Sequence, residues 1–300
     1  MNRARTRPFC SDLSRDNSEP LLATASRIDR WLLIEYRGLW SRDALAGSGL
    51  SDQVKAHLRE LRSAIPRTRL LFIRRPDRRG RKELHAFAAR STELGATLHG
   101  RRVETYDDLL QVDLEAGDPL GHPLLLVCTH GKRDPCCALR GRPLYDALSE
   151  QVEPEQLWQC THVGGDRFAG NLLVLPEGLY FGRVEPAEAA GVLASYLDGR
   201  IEPDLYRGRC CYPFVVQAAE QAVRSSTGLT GIGDMRLAGF EAADDALWRI
   251  RFRVEPTGEV YQVEVAVRDG ELTYLTCSAD SLARPRRFEA RVHSVLPAPS

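Results

Sequence analysis

The 300-residue chain has no apolar run near the roughly 20 residues needed to cross a bilayer, so no membrane-spanning helix is expected. It has no charge of one sign to spare: 41 Lys and Arg balance 41 Asp and Glu. Net charge therefore gives no case for nucleic acid or an anionic membrane as partner. The N-terminus, Met1-Asn-Arg-Ala-Arg-Thr-Arg-Pro8, is basic but leads into no apolar segment of a secretory signal, and a cytoplasmic protein is expected. The paired Cys-x-x-Cys knuckles of short structural zinc sites are missing. No Cys-x-x-Cys stands in the first loop of the central unit either, which weakens a thiol oxidoreductase working through Cys136 or Cys137. Asp and Glu are dispersed, and no pair stands out as the two carboxylates of a glycosidase.

What the chain does have is cysteine and histidine in one place. Four of its eight cysteines and two of its seven histidines fall within residues 128–184. This stretch opens with Cys128-Thr-His130-Gly-Lys132-Arg133-Asp-Pro-Cys136-Cys137 and continues to Cys160-Thr-His162-Val-Gly164-Gly165-Asp166-Arg167-Phe168-Ala-Gly170-Asn171. Each half follows an apolar run, Leu124-Leu-Leu-Val127 and Leu157-Trp158, as expected of two neighbouring strands whose outgoing loops converge. Thiolate and imidazole together suit zinc or an iron–sulfur cluster, not magnesium or calcium. Adjacent Gly164 and Gly165 let the backbone approach a bulky inorganic group, and Lys132, Arg133 and Arg167 offset the negative charge of thiolates and sulfides. Cys10, Cys210, Cys211 and Cys277 lie scattered, as small buried apolar residues do.

Around this centre the pattern predicts three units. In residues 1–117, an N-terminal α/β unit, strands are expected at Trp31-Leu-Leu-Ile-Glu-Tyr36, Arg69-Leu-Leu-Phe-Ile73 and near residues 84–89 and 109–114. Ser51 caps a helix carrying Val54, Leu58, Leu61 and Ile65. The run from Arg74 to Lys82 reads as a basic solvated loop. In residues 118–203, strand 124–128 leads into a loop over 129–139, a helix with Pro143 in its first turn, strand 157–161, a hairpin about Pro176-Glu-Gly178 and a helix from Pro186. This β-α-β-β-β-α order is close to a thioredoxin-like layout. Residues 204–300 form an α+β unit: a linking segment, a helix from Pro213-Phe214, alternating strands 247–254 and 260–267, a third strand at 272–276 and a solvated tail.

Residues 128–184 resemble the sucrase/ferredoxin-like family, a branch of the thioredoxin-like [2Fe-2S] ferredoxins. The matching stretches are Cys128-Thr-His-Gly-Lys-Arg-Asp134, Cys137, His162-Val-Gly-Gly-Asp-Arg-Phe-Ala-Gly-Asn171 through Pro176, and Gly178-Leu-Tyr-Phe-Gly-Arg183. Phe9-Cys-Ser-Asp12 and Trp31-Leu-Leu-Ile-Glu35 also look like that family. The resemblance implies a fold of α/β and α+β parts, with a central thioredoxin-like ferredoxin domain between the two flanking units. It implies a [2Fe-2S] electron carrier serving redox partner proteins, with Cys128, Cys137 and His162 as ligands and Gly164, Gly165 and Arg167 close to the cluster. The fourth ligand stands at Asp166, where the family's cluster-binding pattern has His. Either Asp166 itself ligates or Cys160 or Cys136 replaces it, and Cys160 is the first choice of substitute because alternation along a strand would point it the same way as His162. Zinc held by the same residues is the alternative.

Overall fold

The computed structural model describes residues 7–76 and 83–297. Helix α1 (Cys10–Asp16) precedes strand β1 (Arg30–Glu35), helix α2 (Asp52–Ala64), and strands β2 (Thr68–Arg74), β3 (Leu84–Arg90), β4 (Thr97–Val103) and β5 (Asp118–Pro119). The central part comprises β6 (Leu124–Cys128), α3 (Pro135–Ser149), β7 (Leu157–Cys160), β8 (Leu172–Leu175), β9 (Leu179–Phe181), α4 (Ala189–Leu197) and β10 (Tyr206–Arg209). Helix α5 (Phe214–Thr227) and strands β11 (Met235–Ala242), β12 (Leu247–Val254), β13 (Val260–Asp269) and β14 (Arg286–Leu296) follow.

The first ten strands form one sheet, in the order β10-β9-β8-β6-β7-β2-β1-β3-β4-β5. Within it the same winding occurs twice. β1 is parallel to β2 and antiparallel to β3, which is antiparallel to β4. β6 is likewise parallel to β7 and antiparallel to β8, which is antiparallel to β9. Each parallel pair needs a crossover, supplied by α2 and α3. Two like windings thus meet edge to edge through antiparallel β2 and β7, which overlap only at Ile73↔Cys160 and Arg74↔Gln159. Their C-terminal ends therefore abut, and the loops leaving both windings gather at this seam.

Alternation along the strands assigns the layers. Leu32, Ile34 and Phe72 pack with Val54 and Leu58 of α2, and Leu125 and Val127 pack with Leu144 and Leu148 of α3. The other face joins both windings in one core, with Trp31, Leu33 and Ile73 against Leu126, Cys128, Trp158, Leu173 and Tyr180. In the C-terminal unit, α5 covers an antiparallel sheet in the order β11-β12-β13-β14; Ile250, Phe252 and Val254 face Val216, Ala219 and Val223.

Several expectations need correction. Helix α3 begins at Pro135, not Pro143, because the Asp134 side chain accepts the Cys136 N–H and Pro135 occupies the first turn, where no N–H is required. Pro143 lies inside the helix, tolerated where Leu144, Tyr145 and Leu148 are buried. The loop after β6 is correspondingly short, and Cys136 and Cys137 sit on the first helical turn. No strand forms at 109–114; a 3-10 turn, Asp107–Leu110, stands there, and Asp108 accepts the Glu104 and Thr105 N–H groups ahead of it. Residues 204–209, expected as a link, contain β10, which pairs with β9. The expected third C-terminal strand is reduced to one bridge, Thr273↔Ala283, and the expected tail supplies β14. In the basic loop, residues 77–82 lie outside the described residues. Among the described residues no helix is long and apolar enough to cross a membrane.

Candidate metal centre

Three elements deliver side chains to one point at the seam. Cys128 is the last residue of β6, Cys137 lies in the first turn of α3, and His162 lies just beyond β7. A ligand atom from each, Sγ, Sγ and a ring nitrogen, falls within 4.8 Å of the others. Asp166 closes the loop side: its Oδ1 lies 2.8 Å from His162 Nδ1 and 3.3 Å from Cys137 Sγ. Cys128 and Asp166 are buried, whereas the His162 side chain is 22% exposed and is the edge that meets solvent.

The Gly-Gly turn makes this possible. Gly164 and Gly165 have φ of 100° and 78°, a region that side chains rarely adopt. A Cβ on Gly165 would lie 2.4 Å from the Arg207 guanidinium. That buried guanidinium donates to the Gly164 carbonyl at 3.1 Å, to Asn171 Oδ1 at 2.7 Å and to the Thr24 carbonyl at 2.5 Å, while the Asn171 amide holds the Gly165 carbonyl. The His162–Asp166 loop is thus fixed from behind by residues distant in sequence.

Electrostatics set the sulfurs apart. The neighbouring Cys137 and Cys160 thiols, and then His162, draw the Cys128 thiol well below its ordinary range. Cys137 moves the opposite way, raised by its contact with Cys128 and by burial. Burial works to lower the His162 pKa, but the Asp166 carboxylate and Cys128 outweigh it and take the imidazole up to about 9. A metal ion or cluster held here would replace the imidazole proton as the local cation.

The remaining candidates fall around this group. Cys160 is the register partner of Cys128 and fully buried in the shared core. β7 stops at Cys160, so strand alternation does not carry on to His162. Arg167 turns away to Glu19, donating at 2.8 and 2.9 Å to its two carboxylate oxygens. Cys136, one position before Cys137, points to a different set of residues, Cys10 and Cys277. His130 donates through Nε2 to the Ser41 carbonyl at 2.8 Å, leaving Nδ1 buried with no hydrogen-bond partner among the described residues.

Gly141 shows how closely α3 lies on β6. A Cβ there would sit 2.1 Å from the Cys128 carbonyl oxygen, a backbone atom that cannot swing aside. Gly141→Ala should therefore lever the helix from the strand at the point that sets the Cys128–Cys137 separation. We expect a loss of about 1–3 kcal/mol in urea unfolding together with weakened metal retention. Unchanged stability and metal content would show that this contact is slack.

Sequence reasoning missed Arg207, Asn171 as its partner, and the grouping of Cys10, Asp134, Cys136 and Cys277. Arg207 offered no signal, standing in a stretch that reads as a link.

Among known proteins, curated relatives include the "Altered inheritance of mitochondria protein 32" of Meyerozyma guilliermondii, 35% identical over 95 residues, covering 28% of this chain and 34% of that protein. The protein of the same name from Debaryomyces hansenii is 31% identical over 108 residues, covering 33% and 39%. This chain thus spans little more than a third of the length of these relatives. Among solved structures, the thioredoxin-like [2Fe-2S] ferredoxin from Aquifex aeolicus is 19% identical with a TM-score of 0.28, covering 31% of this chain and 97% of that one. The profile described as Sucrase/ferredoxin-like matches residues 21–208, well over half of the chain and all of the residues of the metal centre. The chain belongs to the sucrase/ferredoxin-like family.

Proposed function

We propose that this protein is a cytoplasmic electron carrier holding a [2Fe-2S] centre on Cys128, Cys137, His162 and Asp166. The observation that carries the reading is the meeting of two thiols and an imidazole, from three separate elements, within 4.8 Å. The donor set fits: thiolate and imidazole both serve iron–sulfur centres, and the lowered Cys128 thiol is already disposed to ionise. Asp166 is preferred to Cys160 as fourth ligand because its carboxylate touches both Cys137 and His162, whereas Cys160, beside Cys128 on the adjacent strand, is fully buried and adjoins Cys128 alone of the three. Such a centre supplies one-electron redox chemistry. The chain's residues shield it from water, with Gly164 and Gly165 bringing backbone close, and leave His162 as the outward edge.

Beside His162 a shallow cleft of about 340 Å³ is lined by His130, Asp43, Arg42, Arg62, Arg69 and Arg133. Four arginines against one aspartate suit a redox partner with an acidic docking surface. Such pairing speeds encounter and weakens with salt.

Anaerobic reconstitution with ferrous iron and sulfide tests the reading. Two irons and two acid-labile sulfides per chain are expected, with a paramagnetic signal on reduction. A colourless, iron-free product would sink it.

A second reading has its own support. Separations under 4.8 Å suit donors around a single ion as they stand, and zinc would use the same residues. Zinc without acid-labile sulfide in the purified protein would decide for it.

A further inference from the structure

A second group of ligating side chains lies on the other side of the α3 N-terminus. Cys10 comes from α1, Asp134 and Cys136 from the start of α3, and Cys277 from the segment between β13 and β14. Their ligand atoms all fall within 4.8 Å of one another. The three sulfurs form a closed triangle, with Cys10–Cys136 at 3.6 Å, Cys136–Cys277 at 3.3 Å and Cys277–Cys10 at 3.5 Å. Asp134 carboxylate oxygens lie 3.8 and 3.9 Å from Cys10 Sγ. Cys10, Asp134 and Cys136 are buried, while Cys277 is partly exposed and gives a route inward.

We propose that Cys10, Cys136 and Cys277, with Asp134, form a structural zinc site distinct from the centre at Cys128, Cys137 and His162. Three considerations support it. None of the three thiols is in a disulfide, and their separations far exceed the roughly 2.05 Å of one. A disulfide would use two of them and strand the third, whereas one ion uses all three. With zinc–sulfur bonds near 2.3 Å, sulfurs of a tetrahedral site lie about 3.8 Å apart, so the triangle needs to open by only a few tenths of an ångström. Three sulfurs and one carboxylate are donors that suit zinc.

The surroundings hold the four in place. Asp134 accepts the Cys136 N–H at 2.9 Å and the Cys277 N–H at 2.7 Å, so one carboxylate ties the helix start to the C-terminal segment. Arg7 donates to the Cys277 and Ala279 carbonyls at 2.8 and 2.9 Å, fastening the N-terminal arm to the same segment. The α3 N-terminus offers its positive end to the thiolates. Bound zinc would link the N-terminal arm, the ferredoxin-like winding and the C-terminal unit at one point, joining residues 267 positions apart. Vicinal Cys136 and Cys137 would then serve two different sites from adjacent positions on one helical turn.

Residue-resolved alkylation of the full-length protein tests the proposal without requiring any variant to fold. In protein purified without chelator, Cys10, Cys136 and Cys277 should react with iodoacetamide roughly tenfold more slowly than after zinc removal. The partly exposed Cys277 gives the most direct readout. Zinc analysis of the Cys128→Ala/Cys137→Ala variant, which lacks two ligands of the other centre, should give about one zinc per chain, falling to about none when Cys10→Ala and Cys277→Ala are added. Equal Cys277 reactivity with and without chelator would overturn the site. So would a Cys136–Cys277 or Cys10–Cys136 disulfide in the freshly isolated protein, or zinc content unmoved by the added substitutions.

Discussion

Asp166→His should raise the midpoint potential of the reconstituted protein by on the order of 200 mV, because a neutral imidazole replaces an anionic carboxylate and leaves the reduced cluster less burdened with negative charge. The substitution follows from geometry. Asp166 Oδ1 already lies against Cys137 Sγ and His162 Nδ1, so a histidine ring at this position would enter the same space. Asp166→Ala should lose most of its iron, as Cys137→Ala should, whereas Cys160→Ala should retain its cluster with little change in spectrum. Protein-film voltammetry and iron analysis of these four variants separate the roles. An unaltered potential in Asp166→His, with iron lost from Cys160→Ala, would transfer the fourth ligand to Cys160.

Arg207→Met is expected to be the most damaging single change behind the metal centre. Arg207 is 1% exposed and donates to four acceptors: the Gly164 carbonyl, the Asn171 amide oxygen, and the carbonyl and hydroxyl of Thr24. Methionine fills a similar volume but leaves all four acceptors without this donor. At roughly 1–3 kcal/mol for each buried group left unsatisfied, the loss should reach at least about 3 kcal/mol in chemical denaturation. The damage should concentrate at the turn through Gly164 and Gly165, so hydrogen exchange there should quicken more than in α2 or β12. A loss below about 1 kcal/mol would mean that water takes over the bonds.

The clearest elements of all three units are legible because their signals are local. Apolar Leu124–Val127 marks a fully buried strand, Ser51 caps α2 three residues before Val54, and β12 alternates arginine with Ile250, Phe252 and Val254. Strands that lack such signals escaped. β4 carries Gly100, Arg101 and Arg102, and β11 carries Arg236 and Gly239. They pair because neighbouring strands offer an edge, not because their side chains ask for one. In β14 the charged Arg287, Glu289 and Arg291 hide an alternation with Phe288, Ala290 and Val292, which pack toward α5. The start of α3 was misplaced because Pro135 and Pro143 are equally plausible first-turn residues until Asp134 is seen to cap one of them.

The same distinction divides the sites. Cys128, Cys137 and His162 lie within 35 positions of each other, at the ends of two adjacent strands and at the start of the helix that joins them. Cys10, Asp134, Cys136 and Cys277 carry no spacing at all. Only the course of the N-terminal arm and the C-terminal unit across the α3 N-terminus brings them together.

The doubled winding leaves its two halves unequal, because only the later one carries thiols at the mouth of its crossover helix. The earlier half places Trp40 and Ser41 at the corresponding turn, with the Trp40 ring against His130 and the Ser41 carbonyl receiving its Nε2 proton. It also lays His85 and Phe87 against Trp158 of the later half. The later half expressed alone would therefore bare the flank of Trp158 and leave the His130 ring without its cover, so the two halves are expected to fold as a pair.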